Sequence, residues 1–326
     1  NSDNSRVIFW VASRSHHAEI GGVAPGSMPP NATSLQQEGV LIRNFKLVDG
    51  QTGEAHFEAL RQLLTRPPFP SRAPDENLAD LRAQVAANRS GLIDLLKLVD
   101  QYSENHVLAY TVFIQDAAEQ KMRQAIGRMK IGTYQFEDQL DNGATIRVVV
   151  VISKDSIKID FSGTDPVLMG NQNANPAIVA SAVIYVVRCF IEDDIPLNEG
   201  ILKPVEIALP TCFLNPVSYE NPEDSPAIVG GNVETSQRLV DVLLGALQQG
   251  VEGGVAAASQ GTMNNWLMGD DCFGWTLDQY HEHFQIQVFH PRTLPYIDEI
   301  VSWVLSKFQV EFLVIKKRIS ANGRSL

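Results

Sequence analysis

Cysteine is scarce in this sequence, and its positions form no pattern. The 326 residues contain three cysteines, Cys189, Cys212 and Cys272, which are far apart and odd in number. Such an arrangement provides neither a Cys-x-x-Cys metal pair nor a disulfide framework. We therefore predict that the chain works in a reducing compartment, the cytoplasm.

Positive charge and long apolar runs are also in short supply. The 26 lysines and arginines are outnumbered by 38 acidic residues, so the formal net charge is -12. This balance argues against nucleic acids and anionic membranes as partners and favours a small molecule or a protein. The most membrane-like stretch, residues 177–187, stops at Arg188 and is too short to span a bilayer. The sequence also begins without a basic-then-apolar leader.

A phosphate loop is missing as well. Gly21 and Gly26 have the Gly-x4-Gly spacing of such a loop, but Ser27 and Met28 stand where Lys and Ser or Thr are needed. No side chain there could reach the β- and γ-phosphates of a nucleotide. We expect no nucleotide site in this loop.

The sequence does contain alternating strand and helix patterns, with 44% hydrophobic and 20% charged residues. Together these patterns indicate an α+β fold with mixed, mainly antiparallel sheets, a helical hairpin and packed helices. Strands are predicted at 7–12, 37–48, 133–136, 146–152, 157–161 and 203–209, the helical hairpin at 75–130, and further helices at 177–191 and 229–247. The hairpin could be an arm that docks on a partner, although ordinary core packing is the commoner role of such apolar stripes and is the expectation here.

The stretch SRSHHAEIGG, residues 13–22, places two histidines and a glutamate behind the first predicted strand. Side chains alternate along an extended chain, so His16 and His17 should point in opposite directions. An imidazole beside a carboxylate such as Glu19 could ligate Zn, Mn or Fe, or act as a general base. The alternative is a partly buried histidine that bonds to a backbone carbonyl.

Three further polar loops carry candidate residues. Asp160 and Asp165 flank the turn DFSGTD as possible acids. Asn232 and Glu234 lie where VGGNVETS enters a strong helix pattern, whose N-terminus could bind an anion or simply be capped by Glu234. The amides of GNQNANP, residues 170–176, could bind a polar ligand, although capping and turn formation are their commoner use. ASQGTMNNW, residues 258–266, is a loop of the kind that often lines a site.

Taken together, these stretches resemble the hydantoinase B/5-oxoprolinase family. Within that family their sequence is most similar to the C-terminal half of 5-oxoprolinases. The resemblance runs in order from about Ser5 to Gly274. It is carried by VASRSHHAEIGGVAPGSMPP, NLADLRAQVAAN, DFSGTDP, NEGILKPVEIALPTCFLNP, AIVGGNVETSQRLVD and ASQGTMNN. It implies a hydantoinase B-like domain over residues 1–275, and residues 276–326 form a divergent tail that does not align with the family.

The resemblance implies the hydrolase portion of an ATP-dependent 5-oxoprolinase, an enzyme of glutathione metabolism. A separate hydantoinase A-type ATPase domain or subunit would bind ATP with Mg and phosphorylate the lactam oxygen of 5-oxoproline. The B portion would then open the activated ring to glutamate. The implied partners are that ATPase domain, a small cyclic amide and further copies of the chain in a homo-oligomer. The alternatives are a truncated inactive scaffold that binds an ATPase partner, and a ketone carboxylase or N-methylhydantoinase subunit.

Roles for individual residues follow from the polar loops and the resemblance together. In related ketone carboxylases a metal is held by a histidine of the pair matching His16 and His17, and by an upstream Gly-Thr-His-x-x-Asp stretch that this sequence does not contain. We expect the metal ligands to be His16 and His17, the catalytic groups to be His17, Glu19, Asp160 and Asp165, and the substrate contacts to be Asn232, Glu234, Gln260 and Asn264. Glu19 would orient the imidazole. In the tail, His281, His283 and His290 are expected to be surface or packing residues, and residues 297–315 to form a helix or strand.

Overall fold

The computed structural model describes residues 6–192, 194–252, 258–259, 265–270, 273–280, 283–288, 297–307 and 312–317, with the backbone alone for 265–270, 273–280, 283–288 and 312–317. The helices are α1 (Phe57–Leu64), α2 (Pro74–Tyr102), α3 (Glu104–Gly127), α4 (Pro176–Arg188), α5 (Glu234–Leu247) and α6 (Ile297–Lys307). The strands are β1 (Gly132–Gln139), β2 (Thr145–Ile152), β3 (Ile157–Asp160), β4 (Val205–Ala208), β5 (Asn265–Asp270), β6 (Phe273–Tyr280), β7 (His283–Val288) and β8 (Phe312–Lys317). The predicted α+β class is confirmed.

The first sheet has the order β1-β2-β3-β4 and is antiparallel except for the last pair. β2 reads TIRVVVVI, and its β-branched residues alternate between a buried and a more open face. The β1–β2 turn uses Asn142, whose side-chain oxygen accepts from Ala144 N–H at 2.9 Å, and Gly143, whose φ is +85°. An Asn-Gly pair suits this turn because glycine adopts positive φ without a steric penalty.

The main core lies between this sheet and the helices that cover it. α4 and α5 bring mainly valine and leucine side chains to the buried face of β2 and β3, and the last turns of α3 close one side with Met122 and Ile126. The fully buried large residues here include Phe161 and Phe213. Each such side chain contributes about 1.5 to 3 kcal/mol through burial alone. This core fixes the N-terminal ends of α4 and α5 beside each other.

The helical hairpin is present, but only its base belongs to the core. α2 buries Asn77 and Leu78 near its start, whereas α3 buries residues from Ala118 onward. Between residues 92 and 117 no residue is buried. The expectation of ordinary core packing is therefore confirmed for the base and wrong for the distal half. α2 begins at Pro74, so Asp75 lies inside the first turn, where it pairs with Arg61.

The predicted strand at residues 7–12 is wrong. No strand is assigned there, and Val7 and Trp10 are 63% and 88% exposed. The segment instead runs along the hairpin: Arg6 pairs with Glu104, and a Cβ added to Gly91 would lie 3.1 Å from Val11 Cγ1. β-branched and aromatic residues favour extended backbone, but a strand also needs a partner edge, and this segment lies against a helix.

The predicted strand at residues 37–48 is also wrong. The chain there forms a 3-10 turn at Leu35–Glu38 and a single bridge between Val48 and Ala55. Its apolar side chains, Val40, Ile42 and Leu47 among them, pack on a second small cluster built on Leu60, Leu64 and Leu78. Burial against helices rather than sheet pairing accounts for the alternating pattern.

A second sheet, of order β5-β6-β7-β8, repeats the strand directions of the first. Residues 297–315, predicted as helix or strand, contain both, since α6 is followed by β8. The division at residue 275 stays a prediction, and β6 spans that position. Of the three tail histidines, His281 and His290 lie outside the described residues. Among the helices that the structure describes, none combines the length and apolarity needed to cross a bilayer.

Candidate functional site

The two histidines of SRSHHAEIGG have different surroundings. His17 lies against α2, with Nδ1 at 3.1 Å from Oδ2 of Asp80, and the two side chains are 15% and 29% exposed. His16 is exposed, and its Nδ1 lies 2.7 Å from the carbonyl oxygen of His17. The backbone-carbonyl bond of the open alternative is found at His16, which is exposed rather than partly buried. His17 has the carboxylate partner that a base or ligand requires.

The path of the N-terminal segment explains how His17 reaches Asp80. From Arg6 to His17 an extended chain spans roughly 36 Å, and α2 from Asp80 to its end at Tyr102 spans about 33 Å. The contact of Arg6 with Glu104, just past the end of α2, and that of His17 with Asp80 are therefore the two ends of one antiparallel alignment. This alignment brings the histidine to the base of the hairpin, beside the core.

The Asp80 carboxylate defines how His17 can act. A proton on Nδ1 that is donated to Asp80 leaves the Nε2 lone pair free to accept a proton or bind a metal. Sequence reasoning did not single out Asp80. It lies within NLADLRAQVAAN, three residues after buried Asn77, so a charged residue on the inward stripe of α2 was the signal available.

Glu19 does not orient the imidazole, and that expectation is corrected. Its carboxylate, 13% exposed, accepts hydrogen bonds from Gly21 N–H at 2.8 Å, the Ser71 hydroxyl at 2.6 Å, and the backbone N–H groups of Arg72 and Ala73 at 3.1 and 3.0 Å. These donors surround the carboxylate at the chain entry to α2. Glu19 therefore links the segment 19–22 to residues 71–73, which lead into α2.

A cleft opens between α4 and α5, close to the same segment. Its volume is about 440 Å³, within the range of small-molecule sites. Its lining has an apolar part, which we call the wall, and a polar part, which we call the rim. The wall consists of Ile178, Ala182, Tyr185 and Val240, and the rim of Arg14, Ser181, Asn232, Ser236, Gln237 and Ser259. Of the residues expected to contact substrate, Asn232 lines this cleft.

Glu234 stands in the first turn of α5 but is not among the residues that line the cleft. Its Oε2 is buried and, among the described residues, has no hydrogen-bond partner; the same is true of Nε of Arg238. Arg238 uses its NH1 group to bind Asp138 of β1 at 2.8 Å. A carboxylate in the first turn is favoured by the helix dipole, which fits the capping alternative for Glu234.

Asp160 and Asp165 hold the turn that follows β3. The Ser162 hydroxyl and backbone N–H both bond to Asp160 and lower the pKa of its carboxyl. Asp165 accepts from the backbone N–H of Thr145 at 2.7 Å, and its own N–H donates to the Thr145 carbonyl at 3.1 Å. In the described part of the chain, neither aspartate contacts His17 or lines the cleft.

The loop at 227–232 is fixed by a residue that sequence reasoning missed. Oε1 of Glu38 accepts from the backbone N–H groups of Ile228 and Val229, both at 2.8 Å. Burial raises the pKa of Glu38 from 4.5 to about 7, against the lowering effect of those two hydrogen bonds. A half-buried carboxylate in a 3-10 turn far away in sequence leaves no local signal. Glu38 thereby positions the chain just before Asn232.

The amides of GNQNANP serve structure, as their commoner use suggested. The side chain of Asn173, fully buried, bonds to the backbone of Leu168, Gly170 and Ala227. Asn175 caps α4 by accepting from Ile178 N–H at 3.0 Å. A side chain added to Gly231 would lie 2.3 Å from the Asn173 carbonyl oxygen. The two loops are in direct backbone contact and support each other at the helix N-termini.

Gln260 and Asn264 lie outside the described residues. The chain immediately before them is anchored, because Ser259 donates from its N–H and hydroxyl to Asp241 of α5 at 3.0 and 3.1 Å. Gln260 follows directly after Ser259, a residue of the cleft rim.

The described residues contain no group of three or more His, Cys, Asp or Glu side chains that could hold a metal ion. His17 and Asp80 supply two donors, whereas protein metal sites normally use three or more. His16 bonds to its neighbour's carbonyl instead of converging on them. Cys189 and Cys212 are free thiols. The predicted metal pair is thus not assembled by the described residues.

Comparison with known proteins gives one family match. A family model described as hydantoinase B/oxoprolinase matches residues 2–287. The chain is 39% identical to 5-oxoprolinase 1 of Arabidopsis thaliana over 84% of its own length and 22% of the relative's. It is 39% identical to 5-oxoprolinase of Saccharomyces cerevisiae over 82% of its own length and 21% of the relative's. The chain therefore spans about a fifth of the length of these curated relatives.

Two solved structures share the fold. The ATP-dependent caprolactamase from Pseudomonas jessenii superposes with a TM-score of 0.63 at 25% identity, covering 73% of this chain and 40% of that protein. A nucleotide-free acetone carboxylase superposes with a TM-score of 0.61 at 16% identity, covering 78% of this chain and 35% of that protein. The second likeness concerns the fold alone.

Proposed function

Because this chain belongs to the hydantoinase B/oxoprolinase family, we propose that it is the hydrolase portion of an ATP-dependent 5-oxoprolinase, which opens the activated ring of 5-oxoproline to glutamate. The observation that carries the proposal is the His17–Asp80 pair, a partly buried imidazole with a carboxylate on one nitrogen. Relatives named as 5-oxoprolinases at 39% identity support this substrate.

The chemistry divides between two parts of a larger protein or complex. A lactam is a poor electrophile, so a hydantoinase A-type ATPase domain first phosphorylates its oxygen, using ATP with Mg bound outside this chain. Water then adds to the activated carbon, the ring carbon–nitrogen bond breaks, and hydrolysis of the acyl phosphate leaves glutamate and inorganic phosphate. Activation lowers the barrier that a positioned base would otherwise meet alone.

In this scheme His17 is the general base. Asp80 holds the Nδ1 proton, so Nε2 accepts a proton from the attacking water and later returns it to the ring nitrogen. A base in this position typically contributes about 10²- to 10⁴-fold to the rate. Glu19 acts indirectly by fixing the backbone two residues after His17. We further propose that Asn232 contacts the substrate from the rim of the cleft, together with Gln260 and Asn264.

The test measures glutamate release that depends on ATP and 5-oxoproline, with this chain alone and mixed with a hydantoinase A-type ATPase domain. Turnover is expected only in the mixture, and His17→Ala is expected to lower it at least about 100-fold. His16→Ala tests which of the two histidines acts. Because the ring of His16 is exposed, we expect a much smaller loss of turnover in that variant. Full turnover with His17→Ala would remove the assignment of the base.

A second candidate function, a scaffold that binds an ATPase partner, is favoured by the distal half of the hairpin. We define the hairpin tip as residues 92–114. Nine of its large apolar side chains are exposed by more than a third: Leu92, Ile93, Leu96, Leu98, Tyr102, Tyr110, Val112, Phe113 and Ile114. Ile93 and Leu98 lie about 140° apart around α2. A helix that is apolar on opposite sides is normally covered by other protein.

The covering partner proposed here is the hydantoinase A-type domain, since about four fifths of the length of the 5-oxoprolinase relatives lies outside this chain. Phe113→Asp and Leu96→Asp are expected to weaken binding of that domain, measured by calorimetry. Met169→Asp is the matched control, because Met169 is 84% exposed on a loop outside the tip. Tight binding without any glutamate release would identify the chain as a scaffold, and binding unaffected by the tip variants would place the interface elsewhere.

A further inference from the structure

We propose that the cleft between α4 and α5 binds the carboxylate of the cyclic amide, and that Arg14 is the residue that selects for this carboxylate. The inference rests on the proposed ring-opening function and adds a specificity-determining residue to it. Sequence reasoning passed over Arg14, although it lies three residues before His17 in the same stretch.

The first argument is the state of the Arg14 guanidinium. In the described part of the chain, Arg14, Arg66 and Arg89 are the arginines whose side chains make no hydrogen bond, ion pair or ring contact. All three side chains are exposed, Arg66 on a loop and Arg89 on α2. Arg14 is on the rim of a cleft, in a chain of net charge -12 that offers many acidic partners. Its guanidinium presents a planar fork of donors that matches a carboxylate.

The second argument is the set of polar side chains that line the cleft together with Arg14. The side-chain amides of Asn232 and Gln237 also line the cleft, and no described residue forms a hydrogen bond with either of them. Asn232 and Ser236 border the first turn of α5, where the positive end of the helix dipole favours an anion. Three unpaired polar side chains around one opening therefore offer donors to the same negatively charged group.

The third argument is size and distance. The apolar wall of Ile178, Ala182, Tyr185 and Val240 suits the methylene edge of a small ring. Arg14 and His17 are three residues apart, so their Cα atoms are separated by at most about 10 Å. A five-membered lactam whose carboxylate is held at Arg14 would therefore lie near the segment that carries His17, which itself is not among the residues that line the cleft. A lactam without a carboxylate would leave the guanidinium without a partner.

The experiment compares two ligands that differ only in the carboxylate. Binding of L-5-oxoproline and of 2-pyrrolidinone, the same ring without the carboxylate, is measured by ligand-observed NMR on the chain and on its mixture with the ATPase domain. Arg14→Gln is expected to weaken binding of 5-oxoproline by about tenfold to a hundredfold and to leave binding of 2-pyrrolidinone unchanged. Arg66→Gln removes the same charge from an exposed loop and is expected to change neither affinity.

A selective loss with Arg14→Gln, accompanied by an unchanged melting temperature, supports the proposal. Equal affinity of wild type and Arg14→Gln for 5-oxoproline overturns it, as does an equal loss for both ligands. The outcome is separable from that of the proposed function: glutamate release with an unchanged KM in Arg14→Gln would remove Arg14 alone. Selective carboxylate binding without turnover in any mixture would remove the ring-opening function and leave the cleft as a carboxylate site.

Discussion

Replacing Glu19 distinguishes a structural carboxylate from a catalytic one. Glu19→Gln keeps one acceptor oxygen but turns the other into a donor, which then faces N–H groups. The carboxylate is surrounded by donors: Oε1 receives bonds from Ser71, Arg72 and Ala73, and Oε2 from Gly21 and Arg72. No rearrangement of the amide can satisfy both sets.

The magnitude follows from the hydrogen bonds that are lost. A hydrogen bond to a charged group contributes about 1.5 to 3 kcal/mol, and bonds that share one acceptor are not additive. We expect Glu19→Gln to lower the free energy of unfolding by about 2 to 3 kcal/mol, and Glu19→Ala by about 3 to 5 kcal/mol. Glu58→Gln is the control, since Glu58 is 76% exposed and 4.0 Å from Arg61; its change should stay below about 0.5 kcal/mol.

The assay is urea unfolding followed by circular dichroism, with hydrogen exchange of residues 71–78 as a local measurement. Faster exchange at the first turn of α2 is expected in both Glu19 variants. If Glu19→Gln unfolds at the same urea concentration as Glu58→Gln, the structural reasoning fails. A loss of turnover with unchanged stability would return Glu19 to the catalytic groups.

Three further perturbations follow from the same structure. Asp80→Asn should lower kcat of the assembled enzyme about tenfold to a hundredfold with little change in melting temperature, because the imidazole loses its ionised partner; unchanged kcat would contradict this. The pKa of Glu38 is raised from 4.5 to about 7, so the folded state binds the proton more tightly, and the stability contributed by this group falls as pH rises from about 4.5 to about 7. We therefore expect the free energy of unfolding of Glu38→Gln to exceed that of the wild type by up to about 3 kcal/mol at pH 8 and by little at pH 4.5, measured from urea midpoints. A difference that does not change with pH would refute the assignment. Gly231→Ala should destabilise the fold by about 1 to 3 kcal/mol because the new methyl would meet backbone at 2.3 Å, whereas Gly50→Ala, with nothing within 4 Å, should leave it unchanged in thermal melts.

Local patterns predicted much of the fold because the interactions that they encode are local. The alternation in β2, the Asn-Gly turn beside it and the apolar stripe of α2 each specify their own backbone. The prediction failed at residues 7–12 because an apolar β-branched run specifies extended backbone but not what lies beside it. The same run could have paired with a strand, and it lies against α2 instead.

The candidate site shows the same division. The sequence identified the histidine pair, but the carboxylate nearest in sequence, Glu19, was taken as its partner, whereas Asp80 is that partner from 63 residues away. Arg14 and Asn232 are separated by more than two hundred residues, and only the packing of the N-terminal segment beside α4 and α5 places them on one cleft.

What the sequence by itself determined is the strands β1 to β4, the helical hairpin, the helices α4 and α5, and the family to which the chain belongs, since these are encoded in short ordered stretches. What only the tertiary structure decided is which polar side chains meet. Long-range contacts depend on how helices and loops pack around a shared core, and no spacing along the chain records that geometry.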